Sequence, residues 1–180
     1  MSENSDKSNN DTIGIDVVLS VLESGHSVEL PATGYSMFPT LRPGDRVVVK
    51  PLLKGELPMR GSVVVFINNG ATAQGAEHRA QGGELRAQGS ANSVLVMHRL
   101  VEMKSDDSGI PLFITRGDSM MEADMPWPQQ QLLGVAVCYR RGKKKHLIKT
   151  FIPGELRYKY NRRMLWMYSK VMILRRMLSK

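Results

Sequence analysis

One serine in this chain is framed in a way that suits covalent chemistry. Ser36 sits in the short polar stretch Thr33-Gly34-Tyr35-Ser36-Met37-Phe38, and Pro39, Pro43 and Gly44 then turn the chain into the apolar run Arg46-Val47-Val48-Val49. The prolines and glycine predict a turn, and the apolar run predicts a buried strand. A hydroxyl held just outside a rigid strand has the fixed position that a nucleophile requires. It also needs a base within hydrogen-bond reach. Imidazole, titrating near about 6.5, is the side chain best matched to that task at neutral pH. Four histidines are available, His26, His78, His98 and His146. They are scattered, with no spacing that would put two ligands on one helix face, so no metal site is expected. The single cysteine, Cys138, excludes an internal disulfide and a cysteine-based metal cluster. Taken alone, a serine between glycine and proline is ordinarily a turn residue, and a strand histidine ordinarily bonds a backbone carbonyl.

The order of residues adds a second line of argument. Gly34-Tyr35-Ser36-Met37-Phe38-Pro39-Thr40-Leu41 followed by Pro43-Gly44-Asp45-Arg46-Val47-Val48-Val49 resembles the nucleophile region of the signal peptidase family, a version of which the self-cleaving phage-type repressors share. Three further blocks follow in the family's order. Arg60-Gly61-Ser62-Val63-Val64-Val65-Phe66 resembles its Gly-Asp-Val-Val-x-Phe strand, with Ser62 in place of the usual Asp. Met97-His98-Arg99-Leu100-Val101 resembles the strand carrying the general base, and Thr115-Arg116-Gly117-Asp118, Asp124 and Leu133-Gly134-Val135-Ala136 resemble the closing motif. Together the blocks span residues 28–140, most of the globular part.

The resemblance implies a catalytic assignment. Where bacterial signal peptidases and the repressors place a lysine, this chain has His98, which matches the histidine subgroup of the family. Ser36 would be the nucleophile and His98 the general base. Asp124 would orient the imidazole, with Asp118 as the alternative acid, one that could instead bond turn amides after Gly117. The Ser36 backbone N–H would serve the oxyanion hole. The hydroxyl that many relatives carry two residues before the nucleophile is missing, because that position is Gly34. Met37 is expected to pack beside the pocket and Asp45 to hold the turn before the strand. The expected substrate is a peptide or protein with a presequence-like segment, small residues preceding the cut. No cofactor is implied.

These residues need a scaffold, and the pattern predicts a mainly β one. A chain of 180 residues is long enough for one domain with a substantial core. Residues 1–11 are polar and read as disordered. A short amphipathic helix is expected over 12–23, packed on the sheet and ended near Gly25. Strands are expected at 27–30, 46–49, 62–67, 94–103, 112–116, 132–140 and 146–152, with 117–131 a long loop. Residues 68–93 contain Ala73-Gln74-Gly75, Ala80-Gln81-Gly82 and Ala87-Gln88-Gly89, a repeat of period seven whose glycines oppose helix. They read as a low-complexity insertion at a hairpin tip within a peptidase-like domain spanning 12–152. By resemblance, the fold is a signal-peptidase or repressor-C-terminal-type β-ribbon fold, whose first strand binds extended peptide by edge pairing.

Charge is distributed unevenly. The net charge is +8, yet residues 139–180 alone hold 14 Lys and Arg against one acid, Glu155. After Pro153-Gly154, residues 155–180 predict a basic amphipathic helix. One face carries Tyr160, Met164, Met167, Tyr168, Val171, Leu174 and Leu178. The other carries Lys159, Arg162, Arg163, Lys170, Arg176 and Lys180, interrupted by Trp166, Ile173 and Met177. This is the composition of a helix lying on a membrane surface; docking on the β body or binding nucleic acid are the other uses such a face has. Membrane attachment through 155–180 is expected, and nucleic acid is not, since aromatic interleaving is sparse. No apolar run is long enough to span a bilayer, and no signal pattern opens the chain. On both points the sequence departs from signal peptidases, which normally carry a membrane anchor. Two other functions share the expected fold, a self-cleaving regulator and a non-catalytic peptide-binding module. The first lacks room for a DNA-binding domain before Ser36 and an Ala-Gly or Cys-Gly cleavage site.

Overall fold

The computed structural model describes residues 14–68, 85–86 and 94–178. Among these residues two helices, α1 (Ile15–Glu23) and α2 (Glu155–Leu178), flank nine strands: β1 (Val28–Pro31), β2 (Arg46–Lys50), β3 (Val63–Asn68), β4 (Leu85–Arg86), β5 (Val94–Ser105), β6 (Pro111–Arg116), β7 (Trp127–Pro128), β8 (Leu132–Arg141) and β9 (Lys144–Leu147). The strands form one sheet in the order β1-β2-β8-β3-β5-β6-β7, with β4 paired to β5 and β9 to β8. Every pairing is antiparallel. The architecture is therefore mainly β with a C-terminal helix.

β3 explains why the sheet holds together. It lies between β8 and β5, and its run Val63-Val64-Val65-Phe66 is buried on both faces. Successive side chains of a strand point to opposite faces. Val63 and Val65 accordingly join a core with Leu30, Val47, Val49 and Leu95, which α1 covers through Ile15, Val18 and Leu22. Val64 and Phe66 join a second core with Leu100, Phe113 and Trp127. Each such fully buried side chain contributes about 1.5–3 kcal/mol of transfer free energy.

Several expected boundaries differ. The strand expected over 94–103 continues to Ser105, because Asp106 Oδ1 accepts the Ser108 and Ile110 amides and closes a tight turn into β6. The loop expected over 117–131 contains β7 and a 3₁₀ turn at Gln129–Gln131. Burial is the cause: the Trp127 indole stacks on Phe66 at 4.3 Å and meets Phe113 edge-on at 5.0 Å, which brings the Trp127 backbone beside Phe113. The strand expected over 146–152 is shifted to Lys144–Leu147, since Gly142 adopts φ 59° and turns the chain early. The expected disordered segment 1–11 and most of the 68–93 insertion lie outside the described residues. Within that insertion, Leu85–Arg86 is strand rather than flexible tip, pairing with Leu95 and Val94.

α2 docks by a face that the sequence did not single out, not by the apolar stripe that was expected at a membrane surface. Tyr158 and Asn161 are buried and Leu165 and Tyr168 half-buried, at spacings of three and four residues that place them on one side. Tyr160, Met167, Val171, Leu174 and Leu178 are exposed. Asn161 decides the orientation: its amide donates to the Asp118 carbonyl at 2.8 Å, a polar anchor that an apolar wheel overlooks.

Candidate active site

The Ser36 loop is closed at its base by backbone bonds between the ends of β1 and β2. Ala32 N–H donates to the Asp45 carbonyl at 2.8 Å and Gly44 N–H to the Ala32 carbonyl at 2.9 Å. Asp45 accepts the Arg42 amide and two donors of the Arg141 guanidinium, so it holds the turn before β2. Inside the loop, Phe38 N–H donates to the Tyr35 carbonyl and Leu41 N–H to the Met37 carbonyl, giving one tight coil. The buried side chains of Met37, Phe38 and Leu41 anchor that coil to the body. Ser36 is left half-buried on its rim. Neither its amide nor its hydroxyl donates a hydrogen bond among the described residues.

The segment after β6 fixes the Ser36 backbone. Ser119 N–H donates to the Ser36 carbonyl at 2.9 Å, and Ser119 Oγ donates to the Tyr35 and Ser36 carbonyls at 2.8 and 3.0 Å. Gly117 is the close approach that permits this. A β-carbon there would fall 2.7 Å from the Ser36 carbonyl oxygen and 3.1 Å from Ser36 Cβ. Gly117 directly follows Arg116, and Arg116 pairs with Arg99 across β5 and β6. His98 is the next residue on β5. The His98 backbone therefore lies near the end of β6, from which Gly117 reaches the Ser36 loop.

His98 is buried, and its Nδ1 lies 2.6 Å from Asp124 Oδ2. The carboxylate can only accept, so the pairing assigns the proton to Nδ1 and leaves Nε2 as the basic nitrogen. Asp124 is itself held twice by Thr115. Its amide donates to the Thr115 carbonyl at 2.7 Å and Thr115 Oγ1 donates to Oδ2 at 2.5 Å, while Trp127 Nε1 donates to Thr115 Oγ1 at 3.1 Å. Asp118 does something else. It is 1 % exposed and forms a two-point pair with Arg99, Nε to Oδ1 and Nη2 to Oδ2, both at 2.8 Å. Thr40 Oγ1 also donates to Oδ2. Arg99 completes its donors on the Gly61 and Lys149 carbonyls and lies 4.4 Å from the Phe151 ring centroid.

Of the residues singled out from the sequence, His98 and Asp124 are therefore bonded together, Asp118 is committed to Arg99, and Ser36 is adjacent to Gly117 and Ser119. No hydrogen bond joins the Ser36 hydroxyl to the His98 ring among the described residues. Thr115, Ser119, Trp127 and Asn161 were not legible as site residues. Thr115 had one signal, its place directly before Arg116-Gly117-Asp118.

α2 touches both halves of this arrangement. Tyr168 meets Phe38 and Tyr35 at ring-centroid distances of 5.3 and 6.2 Å, on either side of Ser36. Arg116 ties the other half down. It donates to the Met120 and Met121 carbonyls, pairs with the Glu155 carboxylate at 2.7 Å, and lies 3.5 Å from the Tyr158 ring centroid. That guanidinium holds the exposed Glu155 carboxyl below its ordinary range, while burial pushes the Tyr158 hydroxyl upward. Among the described residues no cluster of three or more His, Cys, Asp or Glu is placed to hold a metal ion.

No helix of the described residues is long and apolar enough to cross a membrane. Compared with protein-family models, curated proteins and solved structures, the chain has no match.

Proposed function

We propose that the protein is a serine endopeptidase of the signal-peptidase type, using a Ser36-His98-Asp124 arrangement on a fold of that family's β-ribbon kind. The observation that carries this reading is the 2.6 Å contact between His98 Nδ1, on β5, and Asp124 Oδ2, in the segment after β6 whose Gly117 and Ser119 meet the Ser36 backbone. A buried imidazole fixed by a carboxylate, with its second nitrogen unclaimed, is prepared to act as a base. Ser36 Oγ attacks the peptide carbonyl carbon while His98 Nε2 takes its proton. The unclaimed Ser36 N–H faces the developing oxyanion. His98 then gives its proton to the leaving amine as the C–N bond breaks. Water, deprotonated by His98, attacks the ester carbonyl carbon; the bond to Ser36 Oγ breaks, the carboxylic product leaves, and the proton returns to Ser36. The Ser36–His98 hydrogen bond belongs to the substrate complex; such bonds are often open in the free enzyme.

β1 supplies a place for substrate. It ends the sheet, paired on one side with β2 and with no strand on its outer edge among the described residues. An extended peptide adds to such an edge through main-chain hydrogen bonds and would run toward Ser36. Work at a membrane surface, reached peripherally through 155–180, fits the same reading. The test is labelling by a fluorophosphonate together with cleavage of a presequence-like peptide. The wild type labels and cleaves, and Ser36→Ala does neither while remaining folded. A folded wild type that binds the peptide without labelling or cleaving it would replace this reading with a peptide-binding module.

A further inference from the structure

α2 has an inward and an outward face. The inward one, Tyr158, Asn161, Leu165 and Tyr168, is taken by the β body, as described above. The outward one is not taken. Leu156, Tyr160, Met167, Val171, Leu174 and Leu178 are between 50 % and 82 % exposed and fall on one stripe of a helix about 36 Å long. Lys159, Arg163 and Lys170 border this stripe on one side, and Arg157 and Arg175 on the other. Exposed apolar side chains in this number on a small body mark an interaction surface.

The basic border is shaped as well as charged. Lys159, Arg162 and Arg163 line an open recess of about 400 Å³ with Trp166 and Met121. None of the three forms an ion pair among the described residues. Lys170 stands 5.6 Å from the Trp166 ring centroid, giving the indole a cationic neighbour. Three unpaired cations around an amphipathic indole, next to an aliphatic stripe, match the phosphate level and the acyl boundary of a bilayer surface.

Other occupants fit less well. A second copy docked by the same stripe would bring Lys159, Arg163 and Lys170 of both chains together. Nucleic acid would satisfy the cations but leave Val171, Leu174 and Leu178 in water. We propose that α2 seats the protein on an anionic phospholipid surface, its outward stripe in the acyl boundary and a lipid phosphate in the recess beside Met121. This stands independently of the chemistry at Ser36.

The test is flotation of the full chain with vesicles of phosphatidylcholine alone and of phosphatidylcholine with phosphatidylglycerol, at low and high salt. The expected result is flotation with the anionic vesicles only, weakened by salt. Val171→Glu with Leu174→Glu, and separately Arg162→Glu with Arg163→Glu, should each lower binding roughly tenfold or more with thermal melting unchanged. Failure to float with anionic vesicles, equal flotation with both kinds, or wild-type flotation by either variant would overturn the proposal. So would a dimer abolished by the first variant, or RNA binding retained by it, where vesicle binding is absent. Running the series on Ser36→Ala as well keeps the outcome separate from that of the peptidase reading.

Discussion

His98 and Asp124 lie 26 positions apart in the chain and meet side chain to side chain, Nδ1 to Oδ2, at 2.6 Å. Thr115 donates to the same carboxylate oxygen, and Trp127 donates to Thr115, so the acid is fixed before any substrate arrives. If His98 is the base, Asp124→Asn removes the charge that stabilises the imidazolium and leaves the nucleophile in place. The expected outcome is a fall in kcat of about 10²- to 10⁴-fold with little change in KM or melting temperature. Steady-state kinetics on a presequence-like peptide, with the rate of fluorophosphonate labelling alongside, checks it.

Asp118→Asn should fail in a different way. Arg99 is fully buried and its charge is balanced by Asp118 alone among the described carboxylates. Removing one partner of a buried pair costs about 3–5 kcal/mol. For a chain of this size that lowers the melting temperature by roughly 6–20 °C. The labelling rate per folded molecule should stay near wild type. A stable Asp118→Asn that does not label, beside an Asp124→Asn that does, would exchange the roles of the two acids.

The contrast between these acids shows what the sequence could reveal. The apolar run 62–67 announced one strand and 94–103 another carrying His98, because apolar runs and alternation survive in any packing context. The choice between Asp118 and Asp124 was not legible. It depends on which way the chain leaves β6, and Ser119, bonded to the Ser36 backbone, sets that direction through contacts 83 and 84 positions away. β7 escaped notice because two residues carry no period. The docked face of α2 escaped notice because its anchor is a hydrogen-bonding asparagine among aromatics, and an apolar stripe of greater contrast lay on the opposite side.

Gly117 makes the join between the two halves of the site sensitive to one methyl group. In Gly117→Ala the new β-carbon would meet Met120 Cγ at 2.6 Å, which can swing aside, and the Ser36 carbonyl oxygen at 2.7 Å, which cannot move without its loop. Displacing a nucleophile by about 1 Å is enough to cost about 10²-fold. Labelling of Ser36 should therefore slow by that order while circular dichroism stays wild-type. Unchanged labelling would show that the Ser36 loop is not held by this contact.

Acid pH should loosen α2 through Glu155. Arg116 holds that carboxyl below its ordinary value of 4.5, so its contribution is complete above 4.5 and is lost as pH falls through the lower folded value. The buried Tyr158 ring beneath it reports the change. Near-ultraviolet circular dichroism is expected to lose tyrosine signal below about pH 4.5, and Glu155→Gln to show that weaker signal already at neutral pH. A signal independent of both would mean that the remaining Arg116 and Tyr158 contacts suffice.

Asn161 offers the sharpest probe of whether α2 supports the site or only covers it. Its amide is the donor to the Asp118 carbonyl, in a buried position where no water replaces it cheaply. Asn161→Ala leaves that carbonyl without its donor, at a cost of about 1–3 kcal/mol. The carbonyl belongs to the segment that runs from Gly117 to Ser119 and pins Ser36. Loss of the anchor should therefore slow labelling of Ser36 as well as lower the melting point. Tyr168→Ala removes the ring packed between Tyr35 and Phe38 and should slow labelling with a smaller loss of stability, since Tyr168 is only half-buried. A helix that merely covers the body would lose stability in both variants and keep the wild-type labelling rate per folded molecule. Measuring both quantities on both variants separates the two roles.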